Sequence, residues 1–182
     1  MAVDNPNLIW IDCEMTGLSL ERDALVEIAV LVTDAELNVL GDGVDLVISA
    51  PGSKLEAMSE EVRVMHTESG LLPLIPAGVS ASEAEQKVLE YLALHTVAGK
   101  SPLAGNSVAM DRNFISRDMP TLDKYLHYRS VDVSSIKELA RRWYPKIYFD
   151  APKKTGNHRA LGDIKDSIAE LKYYREKIFL HS

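Results

Sequence analysis

Apolar residues fall into short runs in the first part of the chain and recur at helical spacing afterwards. The runs at 8–17, 24–33 and 44–49 are joined by short polar connections and predict three strands in an antiparallel meander. The second run, ALVEIAVLVT, has Glu27 as its one charged member. A run that is apolar at nearly every position is typical of a strand buried on both faces.

The rest of the chain alternates between helical patterns and two further strands. Helices are predicted over 58–70, from Ser80 to about 96–99, after residue 106, over 134–143 and over 159–179, and strands over 102–105 and 126–133. Three leading strands followed by strand–helix alternation indicate an α/β fold, with a five-stranded mixed sheet flanked by helices. The elements follow one another closely, so a single domain spanning residues 1–182 is expected.

Composition and charge narrow the function classes. Hydrophobic residues make up 46% of the chain and charged residues 26%, as in ordinary globular proteins, and the single cysteine cannot form an internal disulfide. There is no signal-peptide pattern and no apolar run near the ~18 residues of a membrane span, so we expect a cytoplasmic protein without membrane contact. The net charge of −7 argues against binding long nucleic acid through its phosphates, but is compatible with a short substrate at a compact site.

The first candidate site is the acid pair at the end of the first predicted strand. Side chains alternate along a strand, so Asp12 and Glu14 point to one face and Cys13 to the other. Two carboxylates on one face repel each other unless they share a proton or bind a cation, and Mg²⁺ prefers carboxylate oxygens. The pair therefore predicts half of a divalent-metal site, although two solvated acids on a rim fit the same pattern.

Two later acids and a histidine extend this hypothesis. Asp111 follows the fourth predicted strand, where α/β sheets place ligand sites, but an acid near a helix N-terminus is also favourable for the helix alone. His158 is expected just before the last helix, with residue 157 or 158 near its N-cap, and Asp163 in the second turn. Together with Asp12 and Glu14, these acids could hold two divalent ions about 3.5–4 Å apart. His158 could then take a proton from a bound water, although a lone histidine is more often structural or merely exposed.

Three motifs carry a resemblance to a known family. IDCEMTG, GNSVAMD and HRALGD, in this order, resemble the exonuclease motifs of the DEDD superfamily in its histidine-containing DEDDh branch. MHTESGL, HYRSVDVSSIKELARRW and TGNHRALGDI extend the resemblance to the oligoribonuclease family along nearly the whole chain. This resemblance implies a ribonuclease-H-like exonuclease fold, a homodimer, and 3′→5′ hydrolysis of very short RNA, down to dinucleotides, to 5′-mononucleotides. The alternative is a DEDDh exonuclease of the proofreading or tRNA-trimming type, which acts on longer RNA or DNA.

The resemblance also implies a cofactor and assigns roles to individual residues. The implied cofactor is two divalent ions, Mg²⁺ or Mn²⁺, and the implied ligands are the acids Asp12, Glu14, Asp111 and Asp163. The implied general base is His158, and Tyr128 is implied as a further active-site residue. The implied substrate-binding residues are Leu18, His66, Ser107, Tyr128, Arg129, Ser134 and Ser135. Leu18 would wedge against a base and His66 would stack near the other nucleotide, while the serines and Arg129 would cap the 5′ phosphate.

The substrate-binding residues also have ordinary structural alternatives. Leu18 is compatible with loop packing, His66 with a surface position, Tyr128 with a strand aromatic and residues 134–135 with a helix cap. Glu61 and Gly162 differ from the residues that relatives often carry, but neither is an implied ligand. The sequence leaves open whether Tyr128 and Arg129 serve their own chain's site or that of a partner subunit.

Overall fold

The computed structural model describes residues 6–153, 156 and 158–179, and its strands form one five-stranded mixed sheet. The strands are β1 (Leu8–Met15), β2 (Leu25–Thr33), β3 (Val39–Val47), β4 (Leu103–Gly105) and β5 (Ser130–Asp132). Their order across the sheet is β3-β2-β1-β4-β5, with the first two pairings antiparallel and the last two parallel. The predicted meander and the predicted mixed sheet are therefore both confirmed.

Helices pack against this sheet and join its strands. They are α1 (Gly52–Glu56), α2 (Glu60–Glu68), α3 (Ala81–His95), α4 (Ala109–Asp118), α5 (Pro120–Tyr125), α6 (Val133–Trp143), α7 (Pro145–Phe149) and α8 (Ala160–Ile178), with a 3-10 helix at Leu72–Ala77. The five predicted helices are present as α2, α3, α4, α6 and α8. The sequence did not predict α1, α5, α7 or the 3-10 helix, because five or six residues are too few to show a helical period. None of the described helices is long and apolar enough to cross a membrane.

Two strands differ from their predicted bounds. β3 begins at Val39, five residues before the predicted start, because Gly41 and Gly43 interrupt its apolar pattern. Gly43 has a φ of +80°, and a Cβ there would overlap the Leu31 side chain, so this position requires glycine. β5 covers only three of the eight residues predicted. Before this strand begins, the backbone N–H of His127 donates to the carbonyl oxygen of Ser101.

Alternation along β1 divides the core into two layers and fixes the position of the acid pair. Ile9, Ile11 and Cys13 lie in the layer that contains α3 and α4, whereas Trp10 lies in the layer formed with α6 and α8. Residues two apart on a strand share a face, so the two acids after Trp10 point toward the α8 side of the sheet. The carboxyl end of β1 and the start of α8 therefore meet on one face.

Candidate active site

A cavity of about 430 Å³ opens at the carboxyl end of β1. The residues around it include all five that the sequence predicts as metal ligands or base: Asp12, Glu14, Asp111, His158 and Asp163. β1 supplies the first two, α4 supplies the third, and the last two lie just before and within α8. Residues from three separate segments are thus brought to one cavity, as the sequence hypothesis requires.

Three of the carboxylates form a compact group. Asp12, Glu14 and Asp163 each place one oxygen so that these oxygens all lie within 4.8 Å of one another. Glu14 is buried and the other two side chains are half-buried. Negative charges at this spacing require a cation or retained protons, and hard divalent ions prefer such oxygen donors. The donor set therefore fits the divalent metal that the sequence predicts.

Asp111 is held beside this group but is not part of it. Its Oδ1 accepts a hydrogen bond from the backbone N–H of Cys13 at 2.9 Å. This bond fixes the carboxylate against β1 between the positions of Asp12 and Glu14. Asp111 also lies in the first turn of α4. It is therefore both an acid in a favourable position near a helix N-terminus and a residue that borders the cavity.

Burial gives two of the acids unusual proton affinities. Desolvation, followed by repulsion from Glu27, Asp163 and Asp111, raises the pKa of Glu14 to about 8, against the opposing charge of Arg159. Desolvation also raises the pKa of Asp111 to about 6, although hydrogen bonds to its carboxylate partly offset this. Without metal, the site therefore retains protons near neutral pH, and a cation has to displace them to bind.

His158 is exposed and lies directly before Arg159, the N-cap of α8, so the prediction that residue 157 or 158 lies near the N-cap is confirmed. Asp163 lies in the first turn of the helix, so its predicted place in the second turn is wrong. Residue 157 itself lies outside the described residues. His158 has a φ of +48°, a backbone conformation that residues with a Cβ seldom adopt. This turn places the imidazole at the cavity edge.

Two of the predicted phosphate-cap serines meet around a carboxylate. The backbone N–H groups of Ser107 and Ser134 both donate to Oδ1 of Asp132, at 3.0 and 2.9 Å, and the Ser107 hydroxyl donates to that of Ser134 at 3.3 Å. Asp132 is the N-cap of α6, so the serine cap predicted at 134 is wrong by two residues. Aspartate is an equally good cap residue, and it was hidden inside the predicted strand.

The other predicted substrate residues differ in their exposure. Leu18 is 69% exposed at the cavity and Tyr128 is 74% exposed, with the Arg129 guanidinium 5.3 Å from the centre of its ring. His66 is completely buried, and its Nε2 lies 2.9 Å from the carbonyl oxygen of Met15. The alternative of a surface histidine is therefore wrong. Stacking of His66 near a nucleotide stays a prediction, and the ring supports the end of β1.

Sequence reasoning missed two charged residues that join β2 to α8. Glu27 is fully buried and forms an ion pair with Arg159, with 2.6 Å between Oε1 and Nη2. The signal for Glu27 was its isolation as the one charge in an apolar strand. Arg159 gave no signal, because its partner lies 132 residues away in the sequence.

Comparison with known proteins gives the family. The family model described as exonuclease (RNase_T) matches residues 9–171. The chain is 63% identical to an oligoribonuclease of Streptomyces avermitilis over 97% of its own length and 88% of the relative, and 62% identical to one of Rhodococcus jostii over 95% and 88%. The chain belongs to the oligoribonuclease family. The resemblance predicted from the motifs is thereby confirmed.

A structural neighbour supports the fold of this oligoribonuclease family member. The zinc-bound complex of Escherichia coli ExoI with single-stranded DNA aligns with a TM-score of 0.74 at 14% sequence identity. The alignment covers 96% of this chain and 41% of that longer chain. At this identity the likeness concerns the fold alone, and it confirms the expected ribonuclease-H-like exonuclease fold.

The raised pKa of Glu14 predicts a pH-dependent stability of the metal-free protein. Glu14 binds its proton more tightly in the folded protein than in the unfolded one. The stability that this proton contributes is complete below pH 4.5, the ordinary pKa, and is lost as the pH rises through about 8. We therefore expect thermal unfolding in EDTA to move to lower temperature across this range. Added Mn²⁺ should stabilise the protein more at the alkaline end, where fewer protons must be displaced.

Calorimetry of three proteins at several pH values checks this prediction. Glu14→Gln removes the titrating group, so its metal-free unfolding temperature should depend less on pH than that of the wild type. Glu90→Gln changes an exposed glutamate on α3 and should behave as the wild type does. The same slope in Glu14→Gln as in the wild type would contradict the burial argument.

Proposed function

We propose that the chain is a 3′→5′ exoribonuclease that hydrolyses very short RNA oligonucleotides, down to dinucleotides, to 5′-mononucleotides. The observation that carries this conclusion is the compact carboxylate group of Asp12, Glu14 and Asp163 in a member of the oligoribonuclease family. Asp111 and His158 border the same cavity. One domain, matched over residues 9–171, would carry the whole activity.

The acids would hold two divalent ions, Mg²⁺ or Mn²⁺. Asp12, Glu14 and Asp163 offer three oxygens to one of them, and Asp111 adds a further carboxylate beside the group. When bound, ions of this kind lower the pKa of a coordinated water and stabilise the charge of a leaving oxygen. The buried carboxylates contribute by keeping the donor atoms in place before substrate arrives.

His158 would act as the general base. It accepts a proton from the attacking water while the water oxygen bonds to the last phosphorus of the chain. The bond from that phosphorus to the 3′ oxygen of the preceding nucleotide breaks, and the products are a 5′-mononucleotide and a shortened RNA. Because His158 is exposed at the cavity edge, it can pass its proton to solvent before the next turnover.

The preference for short RNA would come from a closed cap on the 5′ phosphate. The hydroxyls of Ser107 and Ser134 lie together at the N-terminus of α6, and the Asp132 carboxylate holds both residues in place by accepting their backbone N–H groups. Ser135 follows on the same helix, and Arg129 offers a planar donor fork to phosphate oxygens. Leu18 would wedge against one base, and Tyr128 would pack against the bases. A longer RNA would have no exit past this cap.

A homodimer is part of the same proposal. Large apolar side chains are exposed together along α6, α7 and the end of α8: Leu139, Trp143, Tyr144, Phe149 and Phe179. Four of these side chains, Leu139, Trp143, Tyr144 and Phe179, line one apolar pocket, and an exposed patch of this kind is typical of a protein interface. A second copy would cover this patch.

We propose the cytoplasm as the location, because the relatives are bacterial and bacterial RNA lies there.

Substrate length is the direct test of the function. We expect labelled diribonucleotide to be cleaved with much higher kcat/KM than a twenty-residue RNA, because the cap excludes the longer chain. Chromatography should detect nucleoside monophosphate and no inorganic phosphate. Asp12→Asn should lower turnover by about 100-fold or more while the protein stays folded. Efficient digestion of the long RNA with an inert dinucleotide would favour the longer-substrate alternative.

The general base can be tested separately. His158→Ala should lower kcat by about 10²- to 10⁴-fold, the usual contribution of a positioned base. Steady-state kinetics with diribonucleotide and saturating Mn²⁺ measure this loss, and a variant with the wild-type kcat would exclude the role.

The dimer is tested by a pair of substitutions of equal exposure. Trp143 on α6 and Val97 after α3 are each 66% exposed. Trp143→Glu places a charge in the proposed interface and should give a monomer in analytical ultracentrifugation, whereas Val97→Glu should leave the dimer intact. A monomeric wild-type protein, or a dimeric Trp143→Glu variant, would contradict the proposal.

A further inference from the structure

Glu27 carries a negative charge in one of the least solvated places of the sheet. It is the third residue of β2, a strand in which every residue is buried, and its side chain has no exposed surface. Its partner across the β1–β2 ladder is Glu14, another carboxylate. A buried charge opposite a like charge is unfavourable by itself, so other contacts have to account for it.

Both oxygens of Glu27 bind residues at the start of α8. Oε1 accepts from the Arg159 guanidinium, at 2.8 Å from Nε and 2.6 Å from Nη2. Oε2 accepts the backbone N–H of Ala160 at 3.0 Å. Hydrogen bonds between charged groups, and acids at a helix N-terminus, are both strongly favourable. One carboxylate therefore fixes the two residues that directly follow His158.

This anchor controls a backbone turn that would otherwise be unfavourable. The left-handed φ of His158 brings its Cβ too close to the backbone, and such turns persist only where the neighbouring chain is fixed. Glu27 supplies that fixation through the Arg159 side chain and the Ala160 backbone. The direction in which the imidazole leaves the chain is set at this point.

The remainder of α8 is held by other contacts. Glu170, about three turns further along, binds Lys137 of α6 at 3.1 Å and Asn106 at 3.2 Å. Ile164, Ile168, Leu171 and Tyr174 pack into the core layer below the helix. Loss of the Glu27 anchor should therefore affect the first turn and the residue before it, while the helix as a whole stays docked.

We propose that Glu27 is a positioning residue for the hydrolysis: by binding Arg159 and Ala160, it holds the turn that presents His158 to the cavity. This inference rests on the proposed general-base role of His158. Glu27 does not line the cavity, and it reaches His158 through the two residues that it anchors, Arg159 and Ala160.

A double-mutant cycle tests the inference. Glu27→Gln keeps the size of the side chain but replaces one acceptor oxygen with an NH2 group, which would face either the Arg159 guanidinium or the Ala160 N–H, both of which are donors. With diribonucleotide and Mn²⁺, we expect kcat to fall by about 10- to 100-fold, the loss typical of a small misplacement, with KM nearly unchanged. In the His158→Ala background, Glu27→Gln should cause no further fall, because the group it positions is already absent.

Two further variants separate positioning from general stability. Glu85→Ala is the control, since Oε1 of Glu85 accepts the backbone N–H groups of Thr121 and Leu122 at 2.7 and 2.9 Å, and so anchors the start of α5, which does not line the cavity. It should lower the unfolding temperature without lowering kcat. Arg159→Lys is the second test of the anchor should Glu27→Gln fail to fold, because it keeps a positive charge beside the buried Glu27 carboxylate but loses the planar fork whose two nitrogens bind Oε1.

Three results would overturn the inference. Wild-type kcat in both Glu27→Gln and Arg159→Lys would show that the anchor does not matter for turnover. An equal loss of kcat with and without His158 would show that Glu27 acts through the metal ligands or the fold instead. Wild-type kcat in His158→Ala would show that His158 is not the general base. That result would contradict the proposed mechanism as well as this inference, and the single variant is enough to recognise it.

Discussion

Repulsion between carboxylates at the end of β1 is the constraint on which the site depends. Glu14 faces Glu27 across the β1–β2 ladder and lies within 4.8 Å, oxygen to oxygen, of Asp12 and Asp163. Such a cluster stays folded only if positive charge reaches it. Arg159 supplies that charge from the side of β2, and divalent metal would supply it from the cavity. Part of the negative charge of this one set of acids is thus neutralised within the structure, and the rest is available to bind catalytic metal.

The fold makes this division possible because it brings three segments of the chain together at one edge of the sheet. β1 presents its acids on the α8 face of the sheet, the Cys13 amide fixes Asp111, and Glu27 fixes the beginning of α8. Each contact joins a side chain to backbone of another element, so the donor atoms are held before any ligand binds. A site assembled in this way is suited to hydrolysis, in which preorganised charge stabilises the transition state.

Local patterns were sufficient to predict the five strands and the longer helices, and they singled out five residues that the structure brings to one cavity. The buried run of β2 and the Ser80 cap of α3 could be recognised in a few residues, and the cap is present as a hydrogen bond to the backbone N–H of Glu83. The contacts between distant residues could not be predicted. The Glu27–Arg159 pair spans 132 positions, and the burial of His66 depends on tertiary packing that no short motif encodes. The residues that carry the chemistry of the site can therefore be predicted from sequence more readily than the residues that hold them in place.

The central claim is that the acids at the end of β1 bind two catalytic metal ions. The most direct measurement is a crystal structure with Mn²⁺ and a non-hydrolysable dinucleotide, in which anomalous scattering locates the metal. The account predicts two Mn²⁺ positions in the cavity, one bound by Asp12, Glu14 and Asp163 and the other in contact with Asp111. Well-ordered substrate with no Mn²⁺ at these carboxylates, or a single ion that leaves Asp111 without metal, would contradict it.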